Sequence, residues 1–248
     1  MNQKIAIIGA TSAMAEHCAR LWVSESPKTM VLLGRDRIKT DRVAQDLRVR
    51  SPQSDITVET IDFTDHLQIK DWVNHICSIG VPDIVLIAHG TLADQIKCQQ
   101  DLALNHSTLY INGVSPVLFG EAFISHMLNI DRGTLAIIGS VAGDRGRKSN
   151  YVYGAAKGLV TRYTQGLQHR LNKTNVKVVL IKPGPTATPM TSAMAHKDIQ
   201  LADVKLVARD IVNGIAKSSL LVYTPAKWRI IMMVFRHLPN FIFNKLDV

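Results

Sequence analysis

The chain has 248 residues, 46% of them hydrophobic, enough for a full core in one large α/β domain or two small ones. Its three cysteines, Cys18, Cys77 and Cys98, make neither a metal-ligand spacing nor a disulfide framework, so no metal is expected and a reducing, cytoplasmic setting is. A formal net charge of +9 suits an anionic membrane surface or a phosphorylated substrate; no basic helix stripe, zinc-finger, RRM or helix-turn-helix pattern accompanies it, so nucleic acid is not an expected partner.

The N-terminus runs straight into a strand-like segment without the apolar core and cleavage site of a signal peptide, so no export by that route is expected. No run reaches about 18 uninterrupted apolar residues, so any membrane contact is expected to be peripheral, at the inner face of the cytoplasmic membrane.

In chain order, apolar runs rich in Ile and Val alternate with helix-like segments. The first, residues 4–10 (KIAIIGA), leads into GATSAMAE. Gly9 permits a tight turn there, and the Thr11 and Ser12 hydroxyls, with the first amides of a helix over 14–23, suit a phosphate. A plain strand-to-helix turn has the same appearance. The second run, residues 30–35 (MVLLGR), puts Gly34 at the strand end and Arg35 after it. In a dinucleotide fold a carboxylate here bonds the adenosine ribose, whereas an arginine pairs with a 2′-phosphate. Arg35, with Arg37 close behind, therefore favours NADP(H), while Asp36 keeps NAD(H) open.

Residues 56–62 (ITVETID), 83–90 (DIVLIAHG), 133–140 (GTLAIIGS), 176–184 (VKVVLIKPG) and 220–225 (LLVYTP) complete seven strands, with helices over 66–77, about 101–126 and 151–171. Continuous apolar runs mark strands buried on both faces, and their spacing leaves room for crossover helices. The expected fold is a single Rossmann-like, doubly wound α/β domain with a mainly seven-stranded parallel sheet, its ligand beyond the carboxyl ends of the strands.

The stretch NYVYGAAKGLV, residues 150–160, places Tyr153 and Lys157 one helical turn apart, a phenol and an ammonium in one small volume. Gly154, Ala155, Ala156 and Gly158 leave room for something flat. Tyr151 has no lysine four residues on and is read as packing or pocket wall. Ser140 closes the fifth strand, and Asn112 lies inside the long preceding helix.

Taken together, GATSAMA, Asp62 in IDFTD, AHG at residues 88–90, Asn112, Ser140, Tyr153 with Lys157, and PGPTAT at residues 183–188 resemble the short-chain dehydrogenase/reductase family up to about residue 222. The resemblance implies an enzyme that interconverts a ketone and a secondary alcohol with NAD(P), as a homodimer or homotetramer. In it Tyr153 donates a proton to the carbonyl oxygen and Ser140 holds that oxygen. Lys157 favours the tyrosine anion and bonds the nicotinamide ribose, and Asn112 anchors a proton-relaying water. The resemblance further implies that Asp62 meets the adenine amino group, Gly90 borders the cofactor and Thr188 bonds the nicotinamide carboxamide. Gly9, Thr11, Ser12, Ala13, Met14, Ala15, Arg35, Phe63, Ala88, Pro183, Gly184 and Thr186 complete that site. Ala13 and Ala15 stand where the family often has glycine, and IAHG replaces its frequent Asn-Asn-Ala-Gly, so His89 is read as structural.

Two features exceed the family minimum. Arg145, Arg147 and Lys148 form a cationic rim that suits a phosphate-bearing substrate, or simply a solvated loop. Residues 223–248 form an amphipathic basic tail: Arg229, Arg236 and Asn240 share one stripe, Trp228, Ile230, Ile231, Met232, Val234 and Phe235 cover the rest, and Pro239 ends the helix. Such a tail suits a helix lying in a membrane interface, or one packed on a second subunit. With SVAGDRGRKSNYVYGAAK and AHGTLADQ, the tail looks like the branch containing decaprenylphosphoryl-2-keto-erythro-pentose reductases and related bacterial envelope-sugar reductases. That resemblance implies a keto-sugar on a lipid phosphate. The alternatives are a soluble carbonyl or hydroxyl oxidoreductase of unrelated substrate, and a non-catalytic dinucleotide-binding scaffold that docks at membranes. The intact set of Asn112, Ser140, Tyr153 and Lys157 speaks against the scaffold.

Overall fold

In the computed structural model, which describes residues 2–194 and 200–246, seven parallel strands form one sheet in the order 3-2-1-4-5-6-7. The strands are β1 (Lys4–Ile8), β2 (Thr29–Gly34), β3 (Asp55–Thr60), β4 (Ile84–Ile87), β5 (Thr134–Ile138), β6 (Lys177–Pro183) and β7 (Leu221–Thr224). The helices are α1 (Ala13–Glu25), α2 (Arg37–Arg50), α3 (His66–Ile79), α4 (Gln95–Gln100), α5 (Leu102–Leu109), α6 (Ser115–Asn129), α7 (Tyr151–Arg170) and α8 (Val204–Ala216), with α9 (Lys227–His237) and α10 (Asn240–Phe243) after the last strand. The expected α/β domain is found. The last two residues of the tail, 247 and 248, lie outside the described residues.

The period of two along each strand divides the interior into two cores. Ile5, Ile7, Leu32 and Leu86 face α1, α2 and α8, whereas Ala6, Ile8, Leu33, Val85 and Ile137 face α3, α6 and α7. Both faces are covered, so the strands read as unbroken apolar runs. Five helix starts share one device: Asp36, Asp65, Asp94, Asp101 and Asp203 each accept from a first-turn amide. Among the described residues no helix is long and apolar enough to cross a membrane.

Two expectations change. The long helix over 101–126 is divided: α5 passes into a π turn, Tyr110–Val114, before α6 begins. Asn112 sits in that turn, fully buried. Secondly, the small residues of α7 are not a slot for a flat ligand. A side chain on Gly154 would come within 2.9 Å of the Ala142 carbonyl oxygen, and one on Gly143 within 2.5 Å of the Lys157 carbonyl oxygen. These glycines let the 3-10 turn Val141–Gly143, which follows β5, rest directly on α7, and so fix Ser140 relative to Tyr153.

Candidate active site

Parallel strands bring all their carboxyl ends to one edge, and the crossover direction reverses between β1 and β4, which opens a groove there. Gly9 (φ +83°) turns the chain: its amide and that of Ala10 donate to the Leu33 carbonyl at 2.8 and 3.0 Å. A side chain on Gly9 would lie 2.6 Å from the His89 nitrogen, so glycine is required twice over. Ser12 occupies the N-cap of α1 without making a side-chain cap bond, which leaves first-turn amides open to an anion. Gly9, Thr11, Ser12, Ala13 and Met14 line this groove. Ala15 does not; it is fully buried in the core shared with α8, where its small size lets the helix lie close to the sheet.

Arg35 stands exposed on the groove's outer wall, with no hydrogen bond or ion pair to the described residues. Arg37 is turned away, Nε donating to Asp41 at 2.9 Å and Nη1 to the Val58 carbonyl at 3.0 Å. Lys39, missed in the sequence, also lines the groove and pairs with Asp36 at 3.3 Å. Its place four residues after Arg35, in the first turn of α2, was the available signal. The Asp36 carboxylate is held low first by the Lys39 amide and is occupied in capping α2. Asp62 accepts from the Thr64 amide (2.8 Å) and hydroxyl (2.7 Å), bonds that hold its carboxyl below the usual range, and it shares an outer recess with Arg35. Phe63 is buried under the groove, its ring edge-on to His89 at 4.8 Å.

At the other end, Ser140, Tyr153 and Lys157 line a cleft together with Ala88, Gly90, Pro183, Gly184, Thr186 and Thr188. This cleft and the groove share Ser12, Met14, Ala88, Gly90 and Thr188, so the two are continuous. The Lys157 ammonium is buried, donates to the Ile138 carbonyl at 3.0 Å, and is pulled down to about 8 by burial. Burial pushes the Tyr153 phenol up to about 12, and its hydrogen bonding with Ser140 acts in the opposite direction. The expected net lowering by Lys157 is therefore reversed: its ammonium lies 5.8 Å from the Tyr153 ring centre, engaged by a carbonyl, and desolvation of the phenol dominates. The Ser140 hydroxyl accepts from the Ala142 amide at 3.1 Å.

Asn112 lies behind this cleft. Its Oδ1 accepts from the Thr91 amide and its Nδ2 donates to the Thr108 carbonyl, both at 2.9 Å. A side chain on Gly90 would come 2.7 Å from Asn112 Oδ1 and 3.8 Å from Lys157 Nζ, so this glycine lies close to both. His89 is buried between Phe63 and Phe119 with Nε2 3.0 Å from the Ser115 hydroxyl. Burial, then the charges of Lys157 and Arg35, bring it down to about 3. It is a neutral structural residue at ordinary pH.

The cationic loop divides three ways. Arg145 donates to the Phe235 and Leu238 carbonyls (2.6 and 2.5 Å) and to Asn240 Oδ1 (2.8 Å) and stacks on Phe243, so it closes the end of α9 rather than the cleft. Arg147 lines the cleft of Ser140, Tyr153 and Lys157. Lys148 faces a shallow outer groove beside Tyr151 and Phe243. The tail itself packs inward through Trp228, Ile231, Met232 and Phe235 onto Val141 and Tyr223, with the Trp228 indole directly on Gly184. Ile230, Met233, Val234 and Phe241 point outward, 51–71% exposed.

The sequence profile described as short chain dehydrogenase matches residues 3–199. An uncharacterised oxidoreductase of Mycobacterium tuberculosis strain H37Rv is 27% identical over 252 residues, covering 98% of this chain and 96% of the relative. One from Staphylococcus aureus strain N315 is 30% identical over 223 residues, covering 88% and 93%. Among solved structures, a short chain dehydrogenase from Burkholderia cenocepacia in complex with NADP superposes with TM-score 0.82 at 14% identity, over 100% of this chain and 98% of the other. A bulky-bulky ketone specific alcohol dehydrogenase from Comamonas testosteroni reaches 0.81 at 19%, over 99% and 95%. At such identities these likenesses concern the fold.

Proposed function

The chain belongs to the short-chain dehydrogenase family and is an oxidoreductase, and we propose that it interconverts a ketone and a secondary alcohol with NADP(H). One observation carries this reading: Tyr153 and Lys157, one turn apart on α7, open onto the same cleft as Ser140 at the end of β5.

The groove suits a dinucleotide, with open amides at the start of α1, a glycine turn that admits no side chain, and Arg35 unengaged at the rim. When bound, the cofactor supplies hydride to the carbonyl carbon. The residues of the chain do the rest. With its pKa near 12, Tyr153 carries its proton at neutral pH and is ready to donate it to a carbonyl oxygen held by Ser140. Lys157 puts positive charge behind the phenol, and Asn112, across Gly90, anchors the proton path to it. Arg35 and Lys39 receive the 2′-phosphate while Asp36 is neutralised by Lys39, which favours NADP(H) over NAD(H). Bound NADP in the Burkholderia neighbour is consistent with that preference.

For the substrate, the reading is a keto-sugar on a lipid phosphate. It is supported by Arg147 in the cleft and by the outward face of the tail, where Ile230, Met233 and Val234 stand beside Lys227, Arg229 and Arg236. The enzyme then works at an anionic membrane face, as a homo-oligomer. The deciding experiment is NADPH oxidation over a panel of ketones, with cofactor binding measured separately. A protein that binds NADPH and reduces none of them contradicts the reading.

A further inference from the structure

Three of the residues lining the cleft have a side-chain polar atom buried without a partner: His89 Nδ1, on the ring packed between Phe63 and Phe119, and Arg147 Nε and Asn150 Oδ1 on the loop that leads into α7. A buried donor or acceptor left unmet is costly and uncommon, so the two that stand three residues apart on this loop call for a physical reason. The Arg147 guanidinium makes no hydrogen bond or ion pair with any described residue. Burial alone acts on its charge, without a carboxylate to offset it.

Asn150 has a second peculiarity. It holds the N-cap of α7, where an amide oxygen ordinarily accepts from the first turn, yet it makes no cap bond. Gln95, from the start of α4, accepts from the Val152 amide instead, at 3.1 Å. The helix start is thus served from elsewhere, and Asn150 Oδ1 is released into the cleft. The neighbouring cations are committed differently: Arg145 to the end of α9, Lys148 to the outer groove.

We propose that Arg147 and Asn150 form the substrate-recognition end of the cleft, Arg147 taking a carboxylate or phosphate of the ketone substrate and Asn150 Oδ1 accepting from a hydroxyl beside it. The substrate is then an anionic hydroxyketone, its charge inside the pocket of Tyr153 and not at a cationic rim. This deepens the reductase reading and rests on it.

The test titrates the NADP⁺-loaded protein with two matched pairs, levulinate against its methyl ester and dihydroxyacetone phosphate against dihydroxyacetone, and assays the same pairs for reduction by NADPH. At least one anion should bind about tenfold or more tighter than its neutral partner, as a charge-assisted bond requires. The pair that shows the preference separates carboxylate from phosphate. Arg147→Met should bring the ratio close to one, Arg147→Lys should retain part of it, and Arg132→Met, a cation remote from the cleft, should leave it in place. Asn150→Ala should weaken dihydroxyacetone phosphate but not levulinate, which has no hydroxyl. Equal binding within both wild-type pairs, or a preference that survives Arg147→Met, overturns the proposal. Reduction without anion preference leaves the reductase reading and removes this inference. Anion-selective binding without reduction keeps an anion site at Arg147 but removes the reductase reading and, with it, the assignment of that anion to a ketone substrate.

Discussion

Lys157 Nζ donates to the carbonyl of Ile138, the last residue of β5, at 3.0 Å, so the strand end that presents Ser140 also holds the ammonium. Burial there brings the folded-state pKa to about 8, below its unfolded value. Where the unfolded chain binds the extra proton, stability rises with pH. The difference in unfolding free energy between wild type and Lys157→Met should therefore grow in favour of wild type as pH climbs from about 8 towards the ordinary lysine range. Urea titrations at several pH values read this out, and a flat difference would mean the ammonium is hydrated. In the same pH region kcat/KM for ketone reduction should fall as the charge is lost.

Tyr153→Phe keeps the ring and removes only the proton donor. Turnover should drop about 10²–10⁴-fold with NADPH affinity within a few-fold of wild type. Steady-state rates and cofactor fluorescence titration measure the two. Substantial residual turnover would move the acid to another residue.

Arg35→Ala should weaken NADPH by roughly 1.5–3 kcal/mol and NADH far less, since only the former carries the 2′-phosphate. The ratio of the two dissociation constants is the measurement. A wild type that already prefers NADH, or a ratio that does not move, refutes the cofactor preference.

His89 is held neutral down to about 3, whereas the unfolded side chain titrates near 6.5. Between those values the unfolded chain binds the extra proton, so stability is lost on acidification from about pH 6.5. The limiting slope is about 1.4 kcal/mol per pH unit. His89→Leu should flatten the acid side of the stability profile relative to wild type, and an unchanged slope would show that another group is responsible.

Cutting off the tail is a poor test of membrane docking, because Trp228 and Met232 hold Gly184 and Val141 in place. Serine at Ile230, Met233 and Phe241 changes only the outward face. Wild type should co-sediment with anionic vesicles, more weakly as salt is added, and the triple variant should stay in solution with its melting temperature kept. If instead the variant loses an oligomer while wild type ignores vesicles, the face belongs to a second subunit.

The fold was legible because its determinants are local and periodic. Seven Ile- and Val-rich runs at crossover spacing dictate a parallel sheet, Gly9, Arg35 and Ser140 announce themselves by following a strand end, and Tyr153 does so by the lysine four residues on. The π turn around Asn112 could not be read from apolar spacing, since one extra residue in a helix leaves the pattern almost intact.

By itself, then, the sequence determined the sheet, the order of its layers and the edge at which the site stands, because burial on two faces leaves its mark residue by residue. Only the tertiary structure decided how neighbouring residues divide their work. Arg145 and Arg147 are two positions apart in a loop with no periodicity, yet one grips carbonyls at the end of α9 and the other lines the cleft of Tyr153. Gly154 and Gly158 read as space for a ligand, but Gly154 lies against the turn after β5. Partners of this kind come from elements some ninety residues away for Arg145, and only packing in three dimensions selects them.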